Sequence, residues 1–416
     1  ICIVKEREQE ENKMLQGKTV LLGVTGGIAA YKMPNVARML KKMHCNVHVL
    51  MTQNATNFIT ATTFETLTGN KCLIDTFDRN FEFSVEHVAL AKQADLVLLA
   101  PATANVIGKI ANGIADDMLT TTVMACTCKV LVAPAMNHNM YHNSIVQENL
   151  EKLKRHGYEM IDPVCGMLAN GDTGDGKLPS EETLVEYVLR ELAFEKDMQG
   201  LKVLVTAGPT QEAIDPVRFI SNHSTGKMGY AIAKNAMLRG AEVTLVTGRT
   251  ALEPPMFVKT VPVTSAKDMY QAVMECAKEQ DIIVKAAAVA DYTPAHTADE
   301  KIKKSEGELS LALEKTTDIL AELGKNKGNT VLCGFSMETE HMLENSRAKR
   351  KKKNLDMIAA NNLKQQGAGF AGDTNVLTLI TEDWEKELAL MSKDEAAKCL
   401  LDELLKIKKN KKIMAV

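Results

Sequence analysis

His87 stands just before a short helical segment. Leu96 to Ala100 follows, an apolar run too short for most helices and suited to a buried parallel strand. Pro101-Ala-Thr-Ala-Asn105 then turns at the carboxyl end of that strand, the edge where open α/β sheets bind ligands. Pro134-Ala-Met-Asn137 follows another buried strand, which puts Asn137 at the same edge as Asn105. An asparagine there can hold a substrate carboxylate through its amide N–H. A histidine, buried strands and small polar turns are what a cofactor site can be built from. Each also has a plainer reading, His87 as a structural or surface histidine and Asn137 as a turn residue.

Other motifs sharpen or weaken that site. Gly26-Gly27, in a turn between a strand and a helix, would let backbone N–H groups approach a phosphate. The turn lacks the Gly-x-Gly-x-x-Gly pattern. The second strand ends Val49-Leu-Met-Thr-Gln-Asn54, without the acidic residue that binds a ribose. An NAD-linked dehydrogenase is therefore disfavoured, and a mononucleotide such as FMN needs no such acid. His138 and His142 carry the spacing of zinc-binding helices, but Asn139 replaces the glutamate of His-Glu-x-x-His, which argues against a metalloprotease site. Ser221-Asn-His-Ser-Thr-Gly-Lys-Met-Gly229 looks superficially like a P-loop, yet Met228 stands where Ser or Thr should hold magnesium. A polar loop entering a helix still makes an anion site. Glu300-Lys-Ile-Lys-Lys304 and Arg347-Ala-Lys-Arg-Lys-Lys-Lys353 leave three readings open: solvated faces, a nucleic-acid patch, or a clamp on a triphosphate.

The elements that must position these residues alternate throughout. The first half has strands at 19–24, 46–51, 96–100 and 129–133, with helices near 28–43, 55–68 and 104–125. The second has strands at 201–206, 241–246, 282–286, 331–334, 356–359 and 376–380, and helices near 227–239, 266–278, 316–324 and 338–353 and from Lys393. The expected fold class is α/β, two doubly wound Rossmann-like domains covering 14–195 and 196–416. Gly166 to Lys177, rich in glycine and aspartate, is expected to be a flexible loop that acts as a flap. Lys406 to Lys412 is expected to be a solvated basic tail.

Composition bounds the rest. A length of 416 residues allows two or three domains at about 150 residues each. A net charge of −3 argues against bulk nucleic-acid binding. Nine cysteines without framework spacing point to reduced thiols and a cytoplasmic protein. No apolar run approaches the roughly 20 residues of a membrane span. Residues 1–13 are mostly charged and are expected to be disordered or a non-native extension, with Met14 the natural start and no signal peptide.

Together the motifs resemble the bifunctional bacterial enzymes of coenzyme A biosynthesis, in which phosphopantothenoylcysteine decarboxylase is fused to phosphopantothenate–cysteine ligase. The resemblance runs from Met14 to about Leu405. Gly23-Val-Thr-Gly-Gly-Ile-Ala-Ala-Tyr-Lys32, His87, Pro101-Ala-Thr-Ala-Asn105 and Pro134-Ala-Met-Asn137 resemble the flavin-dependent decarboxylases. Ala207-Gly-Pro-Thr210, Asp215 to Gly229, Ala287-Ala-Val-Ala-Asp-Tyr292, Glu300 to Lys304 and Lys353-Asn-Leu-Asp356 resemble the ligases.

The resemblance implies two reactions on small molecules. The second domain would activate 4′-phosphopantothenate with CTP and pass the acyl-cytidylate to the amine of cysteine. A carboxylate is a poor electrophile until its oxygen becomes a good leaving group, and lysines with Mg2+ would offset the charge repulsion. Asn222 would serve the second half-reaction and Lys301 would contact the triphosphate. Ala286, Ala287, Asp291, Phe335, Lys349 and Lys353 match nucleotide-binding positions, as do Thr317, Asp318, Ile319 and Leu320. The family's usual Asn-Pro-Asp-Ile is Thr316-Thr-Asp-Ile319 here. The first domain would decarboxylate the product with FMN, which oxidises the thiol to a thioaldehyde that accepts the electrons left by CO2. His87 resembles the acid/base histidine and Asn137 the carboxylate-binding asparagine. Thr25, Gly26, Gly27, Ile28, Thr52, Thr103 and Asn105 lie where the family surrounds FMN. Trimeric decarboxylase units, with His87 acting across an interface, and dimeric ligase units are implied.

One position departs from the pattern. The family flap reads Gly-x-x-Ala-Cys-Gly and its cysteine donates a proton in the final reduction. Here the segment is Gly166-Met-Leu-Ala-Asn-Gly171, so Asn170 occupies that place. An amide is not a useful proton donor. The expectation is impaired reduction, or recruitment of another acid such as Cys165. A decarboxylase of the peptidyl-cysteine type, which stops at the enethiol, is the alternative within the fold, and the attached ligase disfavours it. A binding subunit without turnover is the alternative from another class.

Overall fold

The computed structural model describes residues 13–76, 86–167, 171, 173–303, 310–338, 341–362 and 372–414. The chain divides after Phe194 into two compact units.

In the first unit five strands form one parallel sheet, β1 (Thr19–Val24), β2 (Asn46–Met51), β3 (Leu96–Ala102), β4 (Lys129–Pro134) and β5 (Glu159–Met160), in the order β2-β1-β3-β4-β5. Every residue of β3 is buried, as its unbroken apolar run requires of a strand covered on both faces. The order reverses between β1 and β3, so the connections leaving their carboxyl ends run in opposite directions and open a crevice. A separate antiparallel hairpin, β6 (Val164–Met167) with β7 (Thr173–Lys177), occupies part of the expected flexible flap. Gly174 and Gly176 let β7 lie against the segment after β4, where a side chain would collide with His138 and with the Met136 carbonyl. Asn170 lies outside the described residues.

Three expected helices are each broken in two. Ile28–Lys32 is a 3-10 turn, and Pro34 then sits in the first turn of α1 (Met33–Lys42). Proline lacks the donor that a continuous helix would demand, whereas a first turn does not need it. A 3-10 turn at Gln53–Asn57 precedes α2 (Ala61–Thr68). After α3 (Glu86–Gln93), the segment 104–125 becomes α4 (Ala104–Ala111) and α5 (Met118–Ala125). Gly113 takes φ +72° between them, and Asp117 restarts the helix through a capping box with Thr120. The unit continues with the short α6 (His138–Tyr141), α7 (Ser144–Arg155) and α8 (Glu181–Leu192).

The second unit carries an eight-stranded sheet. In chain order its strands and the flanking ribbons are β8 (Lys202–Ala207), β9 (Gln211–Ala213), β10 (Phe219–Ser221), β11 (Glu242–Thr247), β12 (Lys259–Pro262), β13 (Ile282–Lys285), β14 (Tyr292–Pro294), β15 (Leu313–Lys315), β16 (Val331–Glu338), β17 (Met357–Asn362), β18 (Thr374–Asn375), β19 (Leu377–Ile380), β20 (Glu385–Glu387) and β21 (Met391–Ser392). The sheet order is β12-β11-β8-β13-β16-β17-β19-β20. It is parallel from β12 to β17 and then antiparallel, so one edge departs from a purely doubly wound sheet. Its helices are α9 (Lys227–Leu238), α10 (Ala266–Cys276), α11 (Ile319–Lys325), α12 (Met342–Lys352) and α13 (Lys393–Met414). Gly229 lets α9 lie directly on β8, since a Cβ there would come 2.6 Å from that of Ala207.

The basic tail is not simply solvated. It belongs to α13, and Lys408, 7% exposed, reaches Asp281 at 3.0 Å and the Asn329 carbonyl at 3.2 Å. Lys411 reaches Asp356 at 2.8 Å. Charge runs read as solvated by default, and only packing against carboxylates at the sheet end reverses that. Among the described residues no helix is long and apolar enough to cross a membrane.

Candidate active sites

In the first unit the tips of β1, β3 and β4 converge on a cleft of about 580 Å³, within the ~300–1,000 Å³ usual for small-ligand sites. Gly26, Gly27, Ile28 and Thr103 line one part of it, and Asn137 with Gly176 and Lys177 another. Thr25 is fully buried beneath the turn. Its hydroxyl donates to the Pro101 carbonyl at 2.7 Å and accepts from the Thr103 N–H at 3.0 Å, which ties the β1 and β3 tips together. Gly26 is a glycine because Asn54 packs against it, 2.5 Å from where a Cβ would lie. Gly27 meets only Thr103 Cγ2, at 3.7 Å. Thr52 is buried with its hydroxyl unpaired among the described residues; its N–H donates to the Val24 carbonyl at the β1 tip at 3.0 Å, and it does not line the cleft.

Asn137 caps α6. Its Oδ1 accepts the Asn139 N–H at 2.9 Å, which fixes the amide plane and leaves Nδ2 as the amide's donor end. Met136 N–H donates to the Gly176 carbonyl at 3.0 Å, so the β6–β7 hairpin is fastened to the loop that carries Asn137. His87 lies in the first turn of α3, which packs on α5, and neither His87 nor Asn105 lines the cleft. The single chain thus gathers Thr25, Gly26, Gly27, Ile28, Thr103 and Asn137 and leaves His87 apart. Ile28 and Tyr31, 55% and 61% exposed, give the cleft an apolar rim. Cys165 is an exposed thiol on β6.

In the second unit a cleft of about 460 Å³ lies at the carboxyl ends of β13, β16 and β17, beside the start of α9. Asn222, Ala286, Ala287, Asp291 and Phe335 line it. Asn222 donates through Nδ2 to the Ala288 carbonyl at 3.0 Å. The loops beneath are stitched by Thr210, which accepts the Ala290 N–H at 3.0 Å, and by Thr206, which accepts that of Ala287 at 3.1 Å. Asp318 and Lys353 pair at 2.8 Å beside the cleft without lining it. Lys301, Thr317 and Lys349 are exposed and also lie outside its lining. Ile319 and Leu320 put their side chains into the core, 2% and 4% exposed, so a ligand could meet only their backbone.

Lysines converge on this cleft more than motif reading indicates. Lys227, Lys285 and Lys393 all line it. Burial pushes Lys285 down to about 8, repulsion from Lys353 adds to that, and Asp318 and Asp291 oppose it. Its sequence signal was a lysine closing the otherwise apolar Ile282–Lys285 strand. Lys393 stands 7% exposed, and only the fold brings it in from the far end of the chain.

Lys301 is held through its neighbour. Asp215, 2% exposed, accepts the Val217 and Arg218 N–H groups at 2.8 Å each, Arg218 Nε at 2.9 Å and the Ile302 N–H at 3.2 Å. Arg218 Nη2 donates back to the Ile302 carbonyl at 2.9 Å. The Arg218 guanidinium and these backbone donors hold the Asp215 carboxyl well below the usual carboxylate range.

Residues 8–193 match the family described as Flavoprotein, and 198–407 match the DNA/pantothenate metabolism flavoprotein C-terminal domain. The coenzyme A biosynthesis bifunctional protein CoaBC of Bacillus subtilis is 45% identical over 95% of this chain and 98% of its own. That of Escherichia coli is 42% identical over 94% and 97%. A crystal structure of the C-terminal domain of such a protein is 41% identical, covers 52% of this chain and all of its own, and has a TM-score of 0.46. With both clefts at the sheet ends and identity running the length of the molecule, the chain belongs to the CoaBC family of bifunctional coenzyme A biosynthesis enzymes, a flavoprotein-type decarboxylase unit followed by a ligase unit.

Proposed function

We propose that the second unit joins cysteine to 4′-phosphopantothenate at the expense of CTP, taken as its Mg2+ complex, and that the first unit decarboxylates the product with FMN. The observation that carries this reading is the contrast between the two clefts: one apolar-rimmed with a donor amide at its wall, the other ringed by lysines.

The first cleft fits FMN by its glycine turn, the orphan Thr52 hydroxyl and the apolar rim. Gly26, Gly27, Ile28 and Thr103 would hold it, with Thr25 beneath. When bound, FMN supplies the two-electron oxidation of the substrate thiol that makes loss of CO2 feasible. Asn137 Nδ2 would hold the departing carboxylate. His87 would handle the proton, supplied from a neighbouring subunit because it stands outside its own chain's cleft. The exposed rim favours such an assembly, since unpaired apolar surface gains by burial. A trimeric decarboxylase and a dimeric ligase are the oligomers we propose.

In the second cleft Lys285, Lys227 and Lys393 would neutralise the triphosphate, with Lys301 and Lys353 at its margin. Asn222 would orient the acyl-cytidylate toward the cysteine amine. Lys285 should carry a pH signature. Its depressed value means that the charged form is lost as pH rises through about 8, so CTP affinity measured by calorimetry should fall there. Lys285→Met should weaken binding and flatten that profile.

Incubation with 4′-phosphopantothenate, cysteine and CTP, followed by mass spectrometry, tests the whole reading. Pyrophosphate release with a product lighter by CO2 is expected. His87→Asn should stop at 4′-phosphopantothenoylcysteine. Accumulation of the enethiol would mean that Asn170 limits the reduction. A saturated product that survives Cys165→Ala would reject both impaired reduction and the Cys165 substitute. Absence of CTP-dependent pyrophosphate release would reject the ligase reading.

A further inference from the structure

We propose that His138, His142 and Asp175 form a binding site for a divalent transition-metal ion of the zinc, cobalt or nickel type, which fastens β7 of the hairpin to the helix that follows Asn137. The proposal stands on geometry and does not depend on either reaction. His138 opens α6 and His142 caps its end, so the two imidazoles share one face, with ring centroids 4.4 Å apart. The spacing alone left only two ligands and no reason for an ion.

The fold adds a third from a distant segment. Asp175 lies on β7, and its Oδ2 is 3.1 Å from His142 Nε2. One donor atom from each of the three residues lies within 4.8 Å of the others. A zinc-sized ion with bonds of about 2.0–2.2 Å keeps tetrahedral neighbours roughly 3.4 Å apart, so the His142–Asp175 pair already spans one edge of such a shell. Rotation of the exposed His142 ring can close the remaining gap. Water would complete the coordination.

Two details support a seat rather than a chance cluster. Gly174 is what admits the His138 ring against β7, because a Cβ there would sit 2.7 Å from Nδ1. His138 Nδ1 accepts the Asp175 N–H at 3.2 Å, a long bond that an ion can displace in exchange for a metal–nitrogen bond. Two imidazoles and one carboxylate select borderline transition metals over Mg2+ or Ca2+. An occupied site would brace the cleft wall formed by Asn137, Gly176 and Lys177.

The test uses the full chain without an affinity tag, stripped with chelator, and titrated with Zn2+ by calorimetry and with Co2+ by visible absorption. One ion per chain is expected, with Co2+ ligand-field bands and no thiolate charge-transfer band. His142→Ala and Asp175→Asn should each weaken binding about tenfold or more, while circular dichroism and ligase activity stay unchanged. Hydrogen exchange at the Asp175 amide should change on metal addition. No stoichiometric binding, thiolate bands, or affinity that is equal in wild type and both variants would each overturn the site.

Discussion

Gly176→Ala should remove nearly all decarboxylation while leaving CTP-dependent ligation intact. Gly176 has φ +124°, and a Cβ there would lie 2.3 Å from the Met136 carbonyl oxygen. Left-handed strain of about 1–3 kcal/mol for a non-glycine residue is the smaller part. The larger part is displacement of the backbone, because Gly176 also accepts the Met136 N–H and Met136 is bonded to Asn137. Moving a positioning group by an ångström can cost about 100-fold in rate. The expected result is therefore a fall of that order in conversion of supplied 4′-phosphopantothenoylcysteine, with pyrophosphate release from CTP unaltered. Near-wild-type decarboxylation would mean that the hairpin does not position Asn137.

Asp215→Ala should produce the opposite pattern. The carboxylate joins the Val217–Arg218 backbone, the Arg218 guanidinium and Ile302. Its loss frees the backbone beside Lys301 and the loop leading to Asn222. Ligase kcat/KM should fall about 100-fold by misplacement, mostly as a rise in the KM for CTP, while decarboxylation of supplied substrate persists. Asp215→Asn, which keeps the acceptor oxygen for the backbone, should be milder. The pH sense follows from the depressed carboxyl. The loop's stabilisation is fully present above the ordinary aspartate range, and it is lost as pH falls toward the folded-state value. Ligase activity should therefore lose no Asp215 contribution between neutral and mildly acidic pH.

Much of this molecule was legible before any coordinates. The buried strands ending at Ala102 and Pro134 betray themselves by unbroken apolar runs, and a parallel sheet then fixes the edge at which Asn137 must stand. The glycine turn after β1 and the motif blocks that resemble the family were equally local. Helix breaks were less so, although Pro34 and Gly113 carried the signal. Tertiary structure alone decided what depends on distant partners. Lys393 reaches the second unit's cleft, Lys408 finds Asp281, and Asp175 joins two histidines that precede it by a helix and two strands. It also decided that His87 stands outside its own chain's cleft. The physical reason is one of range. Backbone sterics and periodic burial are written residue by residue, whereas charge pairing, desolvation and coordination are set by neighbours that only the folded chain supplies.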